Sequence, residues 1–230
     1  CIKIRQLVDL FSGYKKRFVK EVCMENYKII NKDFRDCKIP QGLVITDPPY
    51  NQNYHYNNYK DKLAINLYIN LLAKIPRPCV VIHYPEETIN ILPKALGEVS
   101  EVITWVYNSN TGKQSRCISF WGCKPKLSLL KQPCKNPTDK RVNPFVRSYD
   151  WWEVNQVKNV SKEKTAHPCQ IPEKIIKNIL TVMPPLNNLV IDTFCGSGTT
   201  LKVATEMGYD SIGYEILEEY CLIAESRLKT

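Results

Sequence analysis

The stretch from Val44 to Tyr54, VITDPPYNQNY, sets the tightest limit on what this chain can fold into. Val44, Ile45 and Thr46 are β-branched and suit a buried strand, whereas Pro48 and Pro49 have no N–H to give to a sheet. A strand therefore ends at Asp47. A carboxylate, two rigid residues and a phenol are delivered together at its carboxyl end.

The rest of the chain supplies a scaffold for such a strand end. YKIIN, GLVITD, CVVIH, EVITWVY, CISFWG, NLVIDTF and DSIGYE read as short strands from their β-branched and aromatic content. Helical periodicity falls between them, in DKLAINLYINLLAKI, IPEKIIKNILTVM, TTLKVATEMG and EEYCLIAESRL. In the first of these, Leu63, Leu67, Asn70 or Leu71, and Lys74 fall at helical steps beside an apolar face. Strands alternating with helices predict an α/β layer fold, with a mostly parallel sheet covered on both faces. Ligands of such sheets bind beyond the carboxyl ends of the strands, so the polar ends after LVIT and after LVI become the candidate site.

The second of these ends is VIDTFCGSGTTLKVA, Val190 to Ala204. A strand closes on Asp192, Gly196 and Gly198 permit a tight turn, and a helix follows with Ser197, Thr199 or Thr200 available as its cap. By itself this is also what an ordinary strand-to-helix turn looks like. The dinucleotide pattern G-x-G-x-x-G fails, because its last position is Leu201. Glu215 ends the next strand, 23 residues after Asp192, where an acid can accept hydrogen bonds from both hydroxyls of a ribose. A cofactor that carries a nucleoside but presents no phosphate to this loop is implied.

These residues resemble a known family. DTFCGSGTT and GYE are similar to the S-adenosylmethionine motifs of amino-methylating DNA methyltransferases, and TDPPYN to their catalytic motif. HPCQIPEKI, beginning at His167, resembles the family's H-P-T-Q-K-P segment, and IINKDF the short strand ahead of the catalytic motif. With the catalytic motif first and the cofactor loop last, the order is that of the family's β group, and the likeness runs from Met24 to Lys229. It implies a permuted seven-stranded Rossmann-like methyltransferase sheet, mostly parallel with an antiparallel hairpin, helices on both faces, and a loop-rich target-recognition insertion.

The resemblance also implies roles. Asp47 and the Pro48 carbonyl would accept the hydrogens of an exocyclic amine, drawing its lone pair back onto nitrogen, while Pro49 stiffens the loop and Tyr50 stacks on a flipped base. Asp192, Phe194, Cys195, Gly196, Ser197, Gly198 and Thr199 would hold the methionine part of the cofactor, Glu215 its ribose, and Asp33 with Phe34 its adenine. Thr46, Asp47, His167, Gln170 and Pro172 would border the same pocket. Blander roles stand beside these: Asp33 as a turn-forming acid, His167 as a capping or packing residue, Trp151 and Trp152 as core anchors in place of recognition aromatics. Cys169 stands where the family usually has Thr and Ile171 where it usually has Lys.

Charge points the same way. Between Thr111 and Thr165 there are 12 Lys or Arg against 4 Asp or Glu, so this segment carries +8 of the chain's +9. Cations interleaved with aromatics, amides and prolines suit a surface that tracks phosphates and reaches bases, although a solvated basic insertion would look the same. This segment coincides with the family's target-recognition region. The expected organisation is an N-terminal extension over residues 1–23 and a catalytic domain over 24–230, with residues 111–165 containing the recognition region.

Other chemistries fit less well. DLFSG and PCQ resemble fragments of cytosine-C5 enzymes, but their spacing is wrong and the acid-bearing partner motif is missing, so Cys169 reads as a Thr substitute. Ten cysteines without C-x-x-C, and three histidines, predict reduced thiols and no metal site. No run of 18 apolar residues occurs, so no membrane partner is expected and a cytoplasmic location is, in a bacterial, archaeal or phage setting. The expected activity is methyl transfer from S-adenosylmethionine to adenine N6 in double-stranded DNA. Cytosine N4, an RNA substrate and a catalytically silent binding subunit remain as alternatives. A homodimer and a cognate restriction endonuclease acting in the same system complete the expected partners.

Overall fold

A computed structural model describes residues 26–56, 59–108, 112–134, 145–159 and 161–229. The expected N-terminal extension, the DLFSG fragment and parts of the basic segment lie outside these residues.

The strands are β1 (Tyr27–Asn31), β2 (Leu43–Thr46), β3 (His55–Tyr56), β4 (Tyr59–Lys60), β5 (Cys79–His83), β6 (Glu101–Val106), β7 (Ser115–Trp121), β8 (Lys131–Pro133), β9 (Phe145–Arg147), β10 (Trp151–Glu153), β11 (Leu189–Asp192) and β12 (Asp210–Glu215). The helices are α1 (Ile65–Leu72), α2 (Pro85–Asn90), α3 (Leu92–Leu96), α4 (Glu173–Val182), α5 (Thr199–Glu206) and α6 (Glu218–Leu228). Eight strands form one sheet in the order β1-β12-β11-β2-β5-β7-β6-β10, while β3-β4 and β8-β9 are separate ribbons. All seven strands expected from the sequence are in the main sheet. The eighth is β10, a three-residue edge strand that pairs parallel with β6. It was missed because Trp-Trp-Glu is too short to show an alternation.

Within the eight-stranded sheet neighbouring strands are parallel except where β7 runs antiparallel to both β5 and β6, and both ribbons are antiparallel. β11 continues through α5 to β12 on one side, and β2 continues through α1 to β5 on the other. Their shared boundary is where the strand order reverses, and there the helices diverge to leave a crevice.

Alternate residues build a core on each face, as the pleat requires. Leu43, Ile45, Val80, Ile82 and Val190 pack with Ile175, Ile179 and Leu180 of α4 and Val203 of α5. Val44, Val81 and Ile191 pack on the opposite face with Tyr68, Leu71, Leu72, Leu92 and Leu96 of α1 and α3. The face of α1 departs from the expected one: Tyr68, Leu71 and Leu72 are buried, while Leu67 is 57% exposed. Asn66 and Asn70, both exposed, form a polar side opposite Tyr68, whereas the exposed Ile65 and Leu67 keep the apolar pattern from being clean. Trp152 is a core anchor whose indole donates to Ser148 Oγ at 2.6 Å, whereas Trp151 stays half-buried and stacks on Tyr149.

Candidate active site

The two polar strand ends meet. Thr46, the last residue of β2, donates from Oγ1 to Asp192 Oδ1 at 3.0 Å and lies 3.0 Å from Thr193 Oγ1. Asp192 Oδ1 also accepts from Phe194 N at 3.0 Å, so the acid that closes β11 turns its own following loop. Burial pushes the Asp192 carboxyl up to about 6, against the lowering effect of hydrogen bonds from Thr200, Phe194 and Thr46.

The glycine loop follows. Gly196 and Gly198 have φ of +46° and +73°, in the left-handed region where side chains are strained. A Cβ on Gly196 would come 3.0 Å from His167 Nε2, and one on Gly198 would come 2.8 Å from the Ala224 Cβ on α6. Gly198 is also the residue at the N-cap of α5, with no side-chain cap bond, in place of the expected Ser197, Thr199 or Thr200. Glu215, at the end of β12, accepts from Gly196 N at 3.0 Å and Leu217 N at 2.9 Å. Ile216 N–H lies against the same carboxylate, which keeps acceptor capacity for a further donor. Burial is the main cause raising its carboxyl above the ordinary value.

Asp47 starts the loop after β2. It is buried except for a limited opening, and desolvation raises its carboxyl to about 6 despite the lowering influence of Arg116 and Tyr50. The Tyr50 hydroxyl donates to Asp47 Oδ1 and accepts from Arg116 Nη1 at 2.7 Å. Tyr50 packs on Tyr84, with ring centroids 4.7 Å apart. Asn51 and Asn53 adopt φ of +56° and +64° beyond it. Asn51 holds its place through reciprocal bonds with Leu63, donating to the carbonyl at 3.0 Å and accepting from the N–H at 2.6 Å. Buried Asp61 accepts from the backbone of Gln52 and Tyr54, so the loop is pinned on both sides.

A cavity of about 250 Å³ opens over these strand ends. Asp33, Phe34, Thr46, Asp47, Pro48, Pro49, Tyr50, His167, Asp192, Phe194, Cys195, Gly196, Ser197, Thr199 and Glu215 all line it, as does Cys169. Phe34 and Phe194 meet edge to face at 5.2 Å on its apolar side. Asp33 combines both of its expected roles: it lines the cavity, and its carboxylate caps the short 3-10 turn Phe34–Asp36 while pairing with Arg35. That pairing holds its carboxyl below the usual range. His167 packs edge to face on Tyr220 at 4.4 Å, and burial lowers its pKa to about 4, so it stays neutral.

Three expected neighbours are placed elsewhere. Gln170 is spent on its own segment, accepting from Thr165 N and Oγ1 at 3.0 Å and donating to the Glu163 carbonyl at 2.6 Å. Pro172 is the N-cap of α4, and Gly198 faces α6. Sequence reasoning also passed over two cations. Arg227 on α6 reaches under the glycine loop, donating to Thr199 Oγ1 at 2.7 Å and to Glu173 at 2.6 Å. Arg116 on β7 sits behind Asp47 and Tyr50. No local pattern marks either one, since each gains its meaning from residues distant in sequence.

Comparison with known proteins agrees with this geometry. The family model for DNA methylases of the N6/N4 type matches residues 42–226. The chain is 27% identical over 217 residues to the type II methyltransferase M.HpaI of Haemophilus parainfluenzae, covering 81% of this chain and 67% of that one. It is 26% identical over 232 residues to the DNA adenine methyltransferase YhdJ of Escherichia coli, covering 83% and 78%. Among solved structures, PvuII DNA methyltransferase, described as cytosine-N4-specific, superposes with a TM-score of 0.63 over 88% of each chain at 16% identity, a likeness of fold alone. With a catalytic-type loop and a glycine loop joined at the reversal of a mostly parallel sheet, and with the family match spanning both, the chain belongs to the N6/N4 DNA methylases.

Proposed function

We propose that this protein transfers a methyl group from S-adenosylmethionine to the exocyclic N6 of adenine in DNA, with the target base flipped out of the helix. The observation that carries this reading is that Asp47 to Tyr50 and Asp192 to Glu215 open into one cavity.

The residues fit the cofactor. Phe34 and Phe194 offer an apolar wall for its adenine, the Glu215 carboxylate has acceptor capacity left for a ribose hydroxyl, and Asp192 adds negative charge suited to an ammonium. When bound, S-adenosylmethionine would supply an electrophilic methyl group, its sulfur retaining the electron pair of the S–C bond that is lost. Asp47 and the Pro48 carbonyl accept the amino hydrogens and so localise the nitrogen lone pair. The proton released by nitrogen passes to the Asp47 carboxylate and from there to water. Tyr50 and Tyr84 offer aromatic faces for the base. Catalysis is then mainly positioning and electrostatics, with no covalent enzyme intermediate.

Adenine is favoured over cytosine N4 because the acid-first DPPY form is more typical of adenine enzymes, and because YhdJ, with 78% of its length matched, is an adenine methyltransferase. The fold does not discriminate, since PvuII methyltransferase shares it. Incubation with S-adenosylmethionine and mixed-sequence DNA, followed by nucleoside mass spectrometry with Asp47→Ala as control, tests the assignment. N6-methyladenine is expected. N4-methylcytosine alone would overturn the base assignment, and cofactor binding without transfer to DNA or RNA would favour a silent binding subunit.

A further inference from the structure

Arg116 occupies a position where a cation is costly. It lies within β7, whose burial is continuous from Arg116 to Trp121, and it is only 9% exposed. A buried guanidinium is tolerated only where partners replace water. Here those partners belong to the methyl-transfer loop and the aromatic residues beside it. Arg116 Nη1 donates to the Tyr50 hydroxyl at 2.7 Å and stands 3.7 Å from Asp47 Oδ2. The guanidinium lies over Tyr50, Tyr84 and Trp105, at 5.0, 5.2 and 5.5 Å from the ring centroids. Trp105 is its directly paired neighbour on β6, so the strand register sets this arrangement.

The direction of the hydrogen bonds carries the argument. A guanidinium can only donate, so the Tyr50 oxygen accepts from Arg116 and its hydroxyl proton is turned toward Asp47 Oδ1. Asp47 is thereby held as an acceptor in a fixed orientation. We propose that Arg116 is a positioning residue of the methyl-transfer centre: it anchors the Asp47 carboxylate through their ion pair and, through the Tyr50 hydroxyl, fixes which carboxylate lone pairs remain for the amino hydrogens of the base. The inference rests on the methyl-transfer reading above.

The acids around Asp47 push the opposite way. Glu87, a buried acid on α2 that accepts from the Tyr68 hydroxyl at 2.9 Å, interacts unfavourably with Asp47, as does Asp192 from β11. Tyr84 and Tyr107 also lie beside the guanidinium, Tyr107 as a further hydrogen-bond partner. Among the described residues, Arg116 makes the ion pair with Asp47.

Arg116→Gln and Arg116→Lys test this beside the wild type. Calorimetry with S-adenosylmethionine reports folding. A ¹³C-NMR titration of the aspartate carboxyls, with the Asp47 signal assigned by its loss in Asp47→Asn, reports ionisation without requiring activity. In Arg116→Gln the Asp47 midpoint is expected to rise by about one unit or more, with kcat down about tenfold or more and its acid limb moved to higher pH. Arg116→Lys is expected to keep the midpoint near the wild type yet lower kcat, because a point charge cannot serve both partners as the fork does. A folded Arg116→Gln with unchanged midpoint and kcat overturns the proposal. If that variant does not fold, an Arg116→Lys protein with wild-type kcat at every pH overturns it instead. A wild type that binds cofactor but methylates nothing defeats the methyl-transfer reading, and the titration still decides whether Arg116 controls Asp47.

Discussion

Thr46 Oγ1 and Asp192 Oδ1, 146 residues apart in sequence, share a 3.0 Å hydrogen bond that joins the strand end of the methyl-transfer loop to that of the cofactor loop. Both residues are buried, so the bond is shielded from water and fixes the spacing of two loops with separate tasks. On the proposed reading, the distance between the methyl donor and the acceptor of the amino hydrogens is thus built into the sheet.

Replacing Asp47 by Ala removes the carboxylate proposed to localise the amine lone pair. Methyl incorporation should fall by about 10²–10⁴-fold, the usual range for a positioned acid or base. Cofactor affinity measured by calorimetry should change little, because Glu215 and the glycine loop are untouched.

Activity should also follow the ionisation of Asp47. Burial raises its carboxyl to about 6, and the protonated acid cannot accept both roles demanded of it, so kcat should decline as pH falls through about 6. A pH profile under saturating cofactor and DNA measures this.

Stability runs the other way. A carboxyl whose folded pKa lies above its unfolded value stabilises the fold only while it is protonated, and that contribution is lost as pH rises through about 6. Asp47→Asn, which mimics the neutral acid, should therefore melt higher than the wild type at pH 8, with the gap closing toward pH 5. Thermal melts across this range check the sign.

Glu215→Gln retains one acceptor oxygen but loses the charge and half of the acceptor capacity at the end of β12. S-adenosylmethionine affinity should weaken by about 10–100-fold, in line with the loss of charged hydrogen bonds. At saturating cofactor, kcat should stay near that of the wild type.

Two glycines separate backbone strain from packing. Gly198→Ala places a Cβ 2.8 Å from that of Ala224 at a φ of +73°, whereas Gly208→Ala at φ +83° meets nothing within 4 Å. The Gly208 variant should lose about 1 kcal/mol and the Gly198 variant about 2–4 kcal/mol in denaturant unfolding, with cofactor binding impaired only in the latter.

The amino-acid sequence by itself determined seven strands of the main sheet, the points where β2 and β11 stop, and the residue types at those points. Prolines after Asp47 and glycines after Asp192 act on their own backbones, so their effect is visible without knowing the fold. Most of the residues expected at the site consequently line one cavity. Tertiary structure decided what local chemistry cannot carry. Ile65 and Leu67 of α1 stay exposed although apolar, because which apolar side chains of a helix are covered depends on what packs against it. Gln170 matched a family segment, yet its amide is consumed by Thr165 and Glu163. Arg116 and Arg227 resemble surface cations in sequence and become buried partners of the two loops only when β7 and α6 pack against them. A strand end is written in successive residues, whereas the electrostatic surroundings of a carboxylate come from whichever distant strands and helices the sheet brings beside it.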